Sequence, residues 1–343
     1  MPQPSTVFRV GCRLGLLLGN PYGILRSAPL WVDKKEAPMV HHPTGTILDA
    51  IGQTPLLEIQ PGIWAKCEFL NPSGSIKARM ALYLINRAEA EGLLRPGDTI
   101  VEATSGNTGN AMAMVAAVKG YKMLVLLPEG FTQERTTISK AFGAEVRHVG
   151  HFQVNDAMAE AKRLGQQPGY YCPQQFDNDW NVEENRTWLG PEILKQLPAS
   201  VKLDALCQGV GTGGTLIGVA QALRAHHNHQ LLAYAVEPTE SQTLALGQVA
   251  DHQIEGIADG FVPGLYARYA HEVNGTVAIA SAEAVAAMRQ LATTHGLFVG
   301  PSSGANLLAA QRLRRQGCAN VLTFLCDEGE KYIMKYHAPG HVV

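Results

Sequence analysis

The strongest constraint in this sequence is an alternation. From about residue 45, short apolar runs take turns with amphipathic stretches. Candidate strands lie at 99–103, 122–128, 145–150, 203–208, 231–237 and 320–327. Candidate helices lie at 110–120, 132–143, 153–165, 216–227, 281–296 and 304–317, and many of them end in glycine, as helix C-termini do. When each strand is followed by a helix, the helix carries the chain back to the starting edge, and the strands pair in parallel with helices on both faces. At 343 residues the chain is long enough for about two units of roughly 150 residues each. Apolar residues make up 46%, enough to fill two cores. The expectation is an α/β protein of two three-layer lobes with mainly parallel, twisted sheets. A smaller lobe over 45–180 and a larger one over 181–343 would face a common cleft, the usual place for a ligand.

Several classes drop out early. The chain has 28 Lys+Arg against 30 Asp+Glu, a net charge of −2, without the basic excess of a nucleic-acid binder. No apolar run approaches the roughly 18 residues of a membrane helix. The six cysteines (12, 67, 172, 207, 318, 326) form no CxxC pair, which favours a reducing compartment and a cytoplasmic protein. His226, His227 and His229 lack a nearby Cys or carboxylate at ligand spacing, so no metal site is expected. Residues 1–38 carry Arg9, Arg13 and Arg26 and no acid before Asp33. GLLLG is short for a signal peptide, and the composition fits a transit peptide weakly. A disordered extension over 1–44, or a start at Met39, is the reading carried forward.

The glycines fall at strand-to-helix junctions. One cluster is Thr104-Ser105-Gly106-Asn107-Thr108-Gly109, a second runs from Gly209 to Thr215, and a third is Gly300-Pro301-Ser302-Ser303-Gly304, before the helix at 304–317. Each sets unpaired backbone N–H groups and hydroxyls at a helix N-terminus, a ready anion site. A tight turn between strand and helix would account for any one of them. Gly209, Gly211 and Gly214 also satisfy G-x-G-x-x-G, and Glu237 follows at the distance of a ribose-binding acid, so a dinucleotide reading stays open on this motif alone. A Walker A reading fails for want of Gly-Lys-[Ser/Thr]. Lys77 is a further unusual residue, because an Asn-Pro-Ser-Gly turn runs straight into it at a helix start. There the positive helix end works against an ammonium, and a positioned neutral amine is what Schiff-base chemistry needs. Alone, it could equally be a solvated lysine.

The motifs together resemble a known family. IGQTPL (51–56), NPSGSIKAR (71–79), EATSGNTG (102–109), QERTTISKAFGAE (133–145), QQF (174–176), GPEI (190–193), GVGTGGT (209–215), AVEP (235–238), IEGIADGFVP (254–263), GPSSGAN (300–306) and DEGEKY (327–332) resemble, in order and spacing, the cysteine synthase and cystathionine β-synthase family. These are pyridoxal-phosphate enzymes of fold type II, the tryptophan synthase β-like group. The resemblance covers about 45–333 and displaces the dinucleotide reading; it also implies that the smaller lobe over 45–180 is mobile and that its first segment packs on the larger one.

It implies roles for particular residues. Lys77 would hold pyridoxal 5'-phosphate in the cleft as an internal aldimine and later move the α-proton. Gly211, Thr212, Gly213, Gly214 and Thr215 would cradle the cofactor phosphate, Asn107 would meet the ring hydroxyl, and Ser302 the pyridine nitrogen. A neutral hydroxyl there tempers the electron sink and favours β-elimination. Thr104, Ser105, Gly106 and Thr108, with Gln175, would grip the substrate carboxylate on a loop that closes over the amino acid.

The implied reaction is β-replacement on a β-activated L-serine through α-aminoacrylate. Cysteine synthesis from O-acetylserine and sulfide leads. Next come O-phosphoserine, or an amine nucleophile giving a diaminopropionate-type product, and then cystathionine formation. A catalytically silent cofactor-binding regulatory protein is the alternative of another class. The resemblance also implies a homodimer and a possible serine acetyltransferase C-terminal peptide as partner. The end of the chain at 343 leads us to expect no C-terminal regulatory domain. Departures from the family pattern are Ala78, Pro301, and the stretch 178–189, where two prolines, a histidine and two threonines are missing. Either the specificity has changed there, or a surface loop and helix have drifted.

Overall fold

The computed structural model describes residues 45–104, 106–129, 133–151 and 154–338. The expected extension over 1–44 lies outside the described residues. In chain order the strands are β1 (Leu56–Gln60), β2 (Ile63–Cys67), β3 (Thr99–Ala103), β4 (Lys122–Glu129), β5 (Glu145–His151), β6 (Tyr170–Tyr171), β7 (Ala205–Gly209), β8 (Leu232–Pro238), β9 (Gly275–Ile279) and β10 (Val321–Leu325). The helices are α1 (Lys77–Ala90), α2 (Asn107–Lys119), α3 (Gln133–Ala141), α4 (Val154–Gly165), α5 (Trp180–Glu184), α6 (Gly190–Gln196), α7 (Gly214–His226), α8 (Thr243–Leu246), α9 (Gly264–Tyr269), α10 (Ser281–His295) and α11 (Pro301–Arg315). Shorter turns of 3-10 and π type link them.

Two sheets form. One has the order β5-β4-β3-β6 and is parallel throughout. The other has the order β1-β2-β10-β7-β8-β9 and is parallel except for the β1–β2 hairpin. β1 and β2, early in the chain, thus join the sheet built mainly from its second half. The reason lies in β2, whose five residues are all buried and pair in parallel with β10. β7 and β10 are likewise buried along their whole length, as expected of central strands covered on both faces. The apolar residues of this sheet pack on α10 and α11 on one face and on α6 and α7 on the other. The smaller sheet packs on α1 and α2 on one face and on α4 on the other.

Helix ends follow local chemistry. Gly120 and Gly296 stop α2 and α10 in the left-handed conformation, with φ of +79° and +67°. One boundary differs from the sequence expectation. The 300–304 cluster does not precede its helix but opens it. Pro301 sits in the first turn, where its missing N–H costs no helical bond, so Ser302 is already helical. Among the described residues, no helix is long and apolar enough to cross a membrane, and no group of His, Cys, Asp or Glu could hold a metal ion.

Candidate active site

Lys77 is the first residue of α1, half-buried, at the end of the 71–76 turn. That turn is fixed from below. The Ile76 N–H donates to the Cys326 carbonyl at 2.8 Å, Ser75 bridges to Asp327, and Lys331 Nζ donates to the carbonyls of Ser73 and Gly74, each at 3.0 Å. The end of β10 and the segment after it therefore hold the lysine's turn. Burial lowers the Lys331 ammonium's pKa, against the opposing charges of Asp327 and Glu328.

Lys77 lines an open cleft of about 640 Å³. Thr104, Asn107, Thr108, Gln175, Gly211 and Thr212 line the same space, so the structure gathers these sequence-identified residues from separate elements. Thr104 follows β3, and Asn107 and Thr108 open α2. Gln175 is locked to that turn. Its Oε1 accepts from Thr108 Oγ1 at 2.7 Å, and its Nε2 donates to the Ala103 carbonyl at 2.9 Å. Its backbone N–H donates to Glu102 at 3.1 Å, and burial pushes that carboxyl up to about 7. The Gly106 N–H donates to Thr104 Oγ1 at 3.0 Å. Ser105 lies outside the described residues.

The second glycine loop joins β7 to α7. Gly213 has φ +89°, a conformation that L side chains rarely adopt, and Gly214 then starts the helix. Thr212 Oγ1 accepts from the Gly214 N–H at 3.3 Å and from Asn181 Nδ2 at 3.0 Å. Gly213, Gly214 and Thr215 continue from the cleft wall into the first turn of α7. Ser302 is buried against Cys326, whose thiol burial pushes up to about 11.

Sequence reasoning assigned no role to other residues of the cleft: Asn110, Ile138, Phe176, Gly256, Asp259, Lys331 and Tyr332. All but Asn110 fall within the motifs quoted above, so the signal was present without a role attached. Asp327 was also missed. It lies just behind the wall, where its Oδ2 accepts from Asn107 Nδ2 at 2.7 Å and from the Tyr332 hydroxyl at 2.5 Å. Its Oδ1 is buried without a hydrogen-bond partner.

The stretch 178–189 is mostly helical. It folds as α5 and a π-helical turn over Asn185–Leu189, and Asn181, Glu184 and Asn185 are buried. Asn181 Nδ2 also donates to the Gln175 carbonyl at 2.9 Å, so one amide ties the Gln175 segment to the glycine loop. Ala78 is fully buried in the apolar cluster that α1 shares with α2, where a carboxylate would meet no water.

This arrangement has known counterparts. Residues 47–327 match the family described as pyridoxal-phosphate dependent enzyme. The chain belongs to that family. A cysteine synthase of Staphylococcus aureus (strain Mu50 / ATCC 700699) is 38% identical over 305 residues, covering 86% of this chain and 97% of the relative. An O-ureido-L-serine synthase of Streptomyces lavendulae is 37% identical over 304 residues, covering 86% and 93%. Among solved structures, an O-acetylserine dependent cystathionine beta-synthase from Helicobacter pylori superimposes with a TM-score of 0.80 at 33% identity, covering 86% of this chain and 99% of that one. The chain is thus a pyridoxal-phosphate-dependent enzyme of the cysteine synthase type.

The residues present fit that cofactor. A loop of N–H groups at the start of α7 suits a phosphate dianion, and it leaves no room for side chains. A Cβ on Gly211 would lie 2.7 Å from the Gly256 carbonyl oxygen, and one on Gly214 would lie 2.1 Å from Asn181 Oδ1. Lys77 lines the same cleft, and Asn107 uses one amide hydrogen on Asp327 and keeps another.

Proposed function

We propose that this enzyme replaces the β-substituent of an activated L-serine, with O-acetyl-L-serine and sulfide giving L-cysteine and acetate as the leading pair. The observation that carries this reading is the shared cleft, in which Lys77, the glycine loop and the Thr104–Thr108 turn with Gln175 meet. Bound pyridoxal phosphate supplies the electron sink that acidifies the substrate's Cα–H and lets the β-substituent leave. Gly211, Gly213 and Gly214 would offer backbone N–H groups to its phosphate, with the hydroxyls of Thr212 and Thr215. Asn107 would hold the ring hydroxyl, and Ser302 the ring nitrogen. The start of α2, with Thr104, Ser105, Gly106, Thr108 and Gln175, binds the substrate carboxylate by hydroxyls, amide and N–H groups. Lys77 takes the proton from Cα and returns it there after the nucleophile has added.

We take the β3–β6 sheet and its helices as the smaller lobe, which closes over bound amino acid. The homodimer and the serine acetyltransferase peptide are readings that rest on family resemblance. A cytoplasmic setting agrees with the free state of all five described cysteines.

The test offers O-acetylserine and O-phosphoserine separately to the holoenzyme, each with sulfide and with amine nucleophiles, and follows products. L-cysteine from O-acetylserine with sulfide is expected, with Lys77→Ala losing it by at least on the order of 1,000-fold, as removal of an essential catalytic group does. Absence of L-cysteine, with product from another pair, reassigns the substrates. Activity in Lys77→Ala overturns the role of the lysine.

A further inference from the structure

Asp327 has no part in the roles above, yet the fold makes room for its carboxylate. The residue follows β10, is 1% exposed, and lies just behind the cleft wall. Its carbonyl accepts from the Gly300 N–H at 3.0 Å, and its backbone bridges to Ser75 in the turn that carries Lys77. A Cβ on Gly300 would lie 2.3 Å from Asp327 Oδ1 and 2.5 Å from the Tyr332 ring. Gly300 has an ordinary φ of −80°, so the close approach of these two side chains, and not backbone strain, calls for glycine there.

Both hydrogen bonds to the carboxylate fall on one oxygen. Oδ2 accepts from Asn107 Nδ2 at 2.7 Å and from the Tyr332 hydroxyl at 2.5 Å, while Oδ1 is buried without a hydrogen-bond partner. A carboxylate can only accept, so Asn107 must turn its NH2 group, and not its carbonyl, toward Asp327. Turned the other way, the amide would set its own oxygen against a carboxylate oxygen with no proton between them. Away from water, such an unpaired contact is costly. The Asn107 amide is thereby fixed about its last torsion, with the second hydrogen of the same NH2 group still to give. The contact joins α2 to the end of β10, across 220 positions of sequence.

We propose that Asp327 is a positioning residue: it fixes the Asn107 amide so that an N–H, and not the carbonyl, meets the ring hydroxyl of the cofactor. The inference rests on the assignment of Asn107 to that hydroxyl in the reading above. A donor at the ring oxygen favours the bound form in which that oxygen is negative and the proton sits on the Lys77 nitrogen. That form absorbs in the visible, and the form with the proton on oxygen absorbs in the near ultraviolet. Asp327 can act on this balance in two ways of opposite sign. By charge alone, a nearby carboxylate disfavours a negative ring oxygen. By holding the amide, it favours one, and a hydrogen bond to a charged oxygen is the stronger effect of the two.

The test reads the absorption spectra of the holoenzymes at one pH, without substrate. Asp327→Asn keeps the shape of the side chain and no longer obliges Asn107 to donate. The ratio of the visible to the near-ultraviolet band is expected to fall on the order of 10-fold, the scale of one hydrogen bond to a charged group. Asn107→Ala should lower it by a similar factor, and adding Asp327→Asn to that variant should lower it no further, as for two residues that act through one contact. Asp327→Ser, measured alongside, gives the same comparison if Asp327→Asn does not fold. A ratio that is unchanged or raised in the Asp327 variants, while Asn107→Ala lowers it, overturns the proposal, since the residue would then act by packing or by charge. A further fall in the double variant overturns it as well. If Asn107→Ala leaves the ratio unchanged, the assignment of Asn107 fails and the role of Asp327 with it. Product formation from O-acetylserine and sulfide, followed separately in the wild type, decides whether the β-replacement reading stands in either case.

Discussion

Single residues show how the turn between β3 and α2 is held from behind. Glu102 is 2% exposed at the end of β3, and it accepts N–H groups from Ala103 and Gln175 at 2.9 and 3.1 Å. Burial outweighs those bonds and raises its carboxyl from 4.5 to about 7. Between these values the folded chain holds a proton that the unfolded chain has released, so stability falls as pH rises through the window and levels off above it. The loss is on the order of 3 kcal/mol. Glu102→Gln cannot ionise and should flatten this fall. Urea unfolding at pH 5 and pH 8 checks it, and an equal fall in the variant would assign the effect to another group. The residue stands inside EATSGNTG, yet nothing in that string tells an exposed glutamate from a buried one. Burial is decided by β6 and the Gln174–Phe176 turn, which come together on β3 only in the fold.

At the scale of elements, strands and helices were legible where a local signal was strong. β3, β4, β5, β7, β8 and β10 all match apolar runs in the sequence, and the long helices match amphipathic ones, within a few residues at each end. β1, β2, β6 and β9 were not anticipated. β6 has two residues, β1 shows the mixed burial of an edge, and β9 is mostly half-buried, so none carries a clean period of its own. α5 is the instructive case. Its sequence reads as a departure from the family pattern, and its five residues bring Asn181 between Gln175 and Thr212. Asn181→Ala leaves the Gln175 carbonyl and the Thr212 hydroxyl without that donor. A loss of about 1–3 kcal/mol is expected, with a higher KM for the amino-acid substrate than the parent. Calorimetry and initial rates measure the two. Unchanged stability with unchanged KM would return this stretch to the reading of neutral drift.

For the whole molecule, the two sheets are joined beneath Lys77 by buried charge. Arg79, with 0% exposure, pairs with Glu68 at 2.8 Å and, through both terminal nitrogens at 2.8 Å, with Glu192 on α6. Lys66 on β2 reaches Glu192 at 2.6 Å and Gln196 at 2.9 Å, and also donates to the Thr54 carbonyl. Burial alone would raise the Glu192 carboxyl, but the hydrogen bonds and charge of Arg79, with Lys66, outweigh it and hold the group at about 2. Removing one member leaves the others buried and unpaired. Arg79→Met is expected to cost about 3–5 kcal/mol in urea unfolding, and a loss below about 1 kcal/mol would mean that the cluster is hydrated and weak. Arg79 and Lys77 sit in one sequence motif, but the partner Glu192 is 113 positions away, and Asn107 and Asp327 are 220 apart. By itself the sequence determined the parallel α/β plan, the glycine-rich helix starts and the lysine at the head of α1. Those features depend on neighbouring residues, through hydrophobic period, turn chemistry and the φ that glycine allows. Only the tertiary structure decided that β2 lies beside β10, that Asp327 backs Asn107, and that Asp259 lines the cleft. Those outcomes depend on the order in which strands join a sheet, and strand order is set by burial summed over the whole chain.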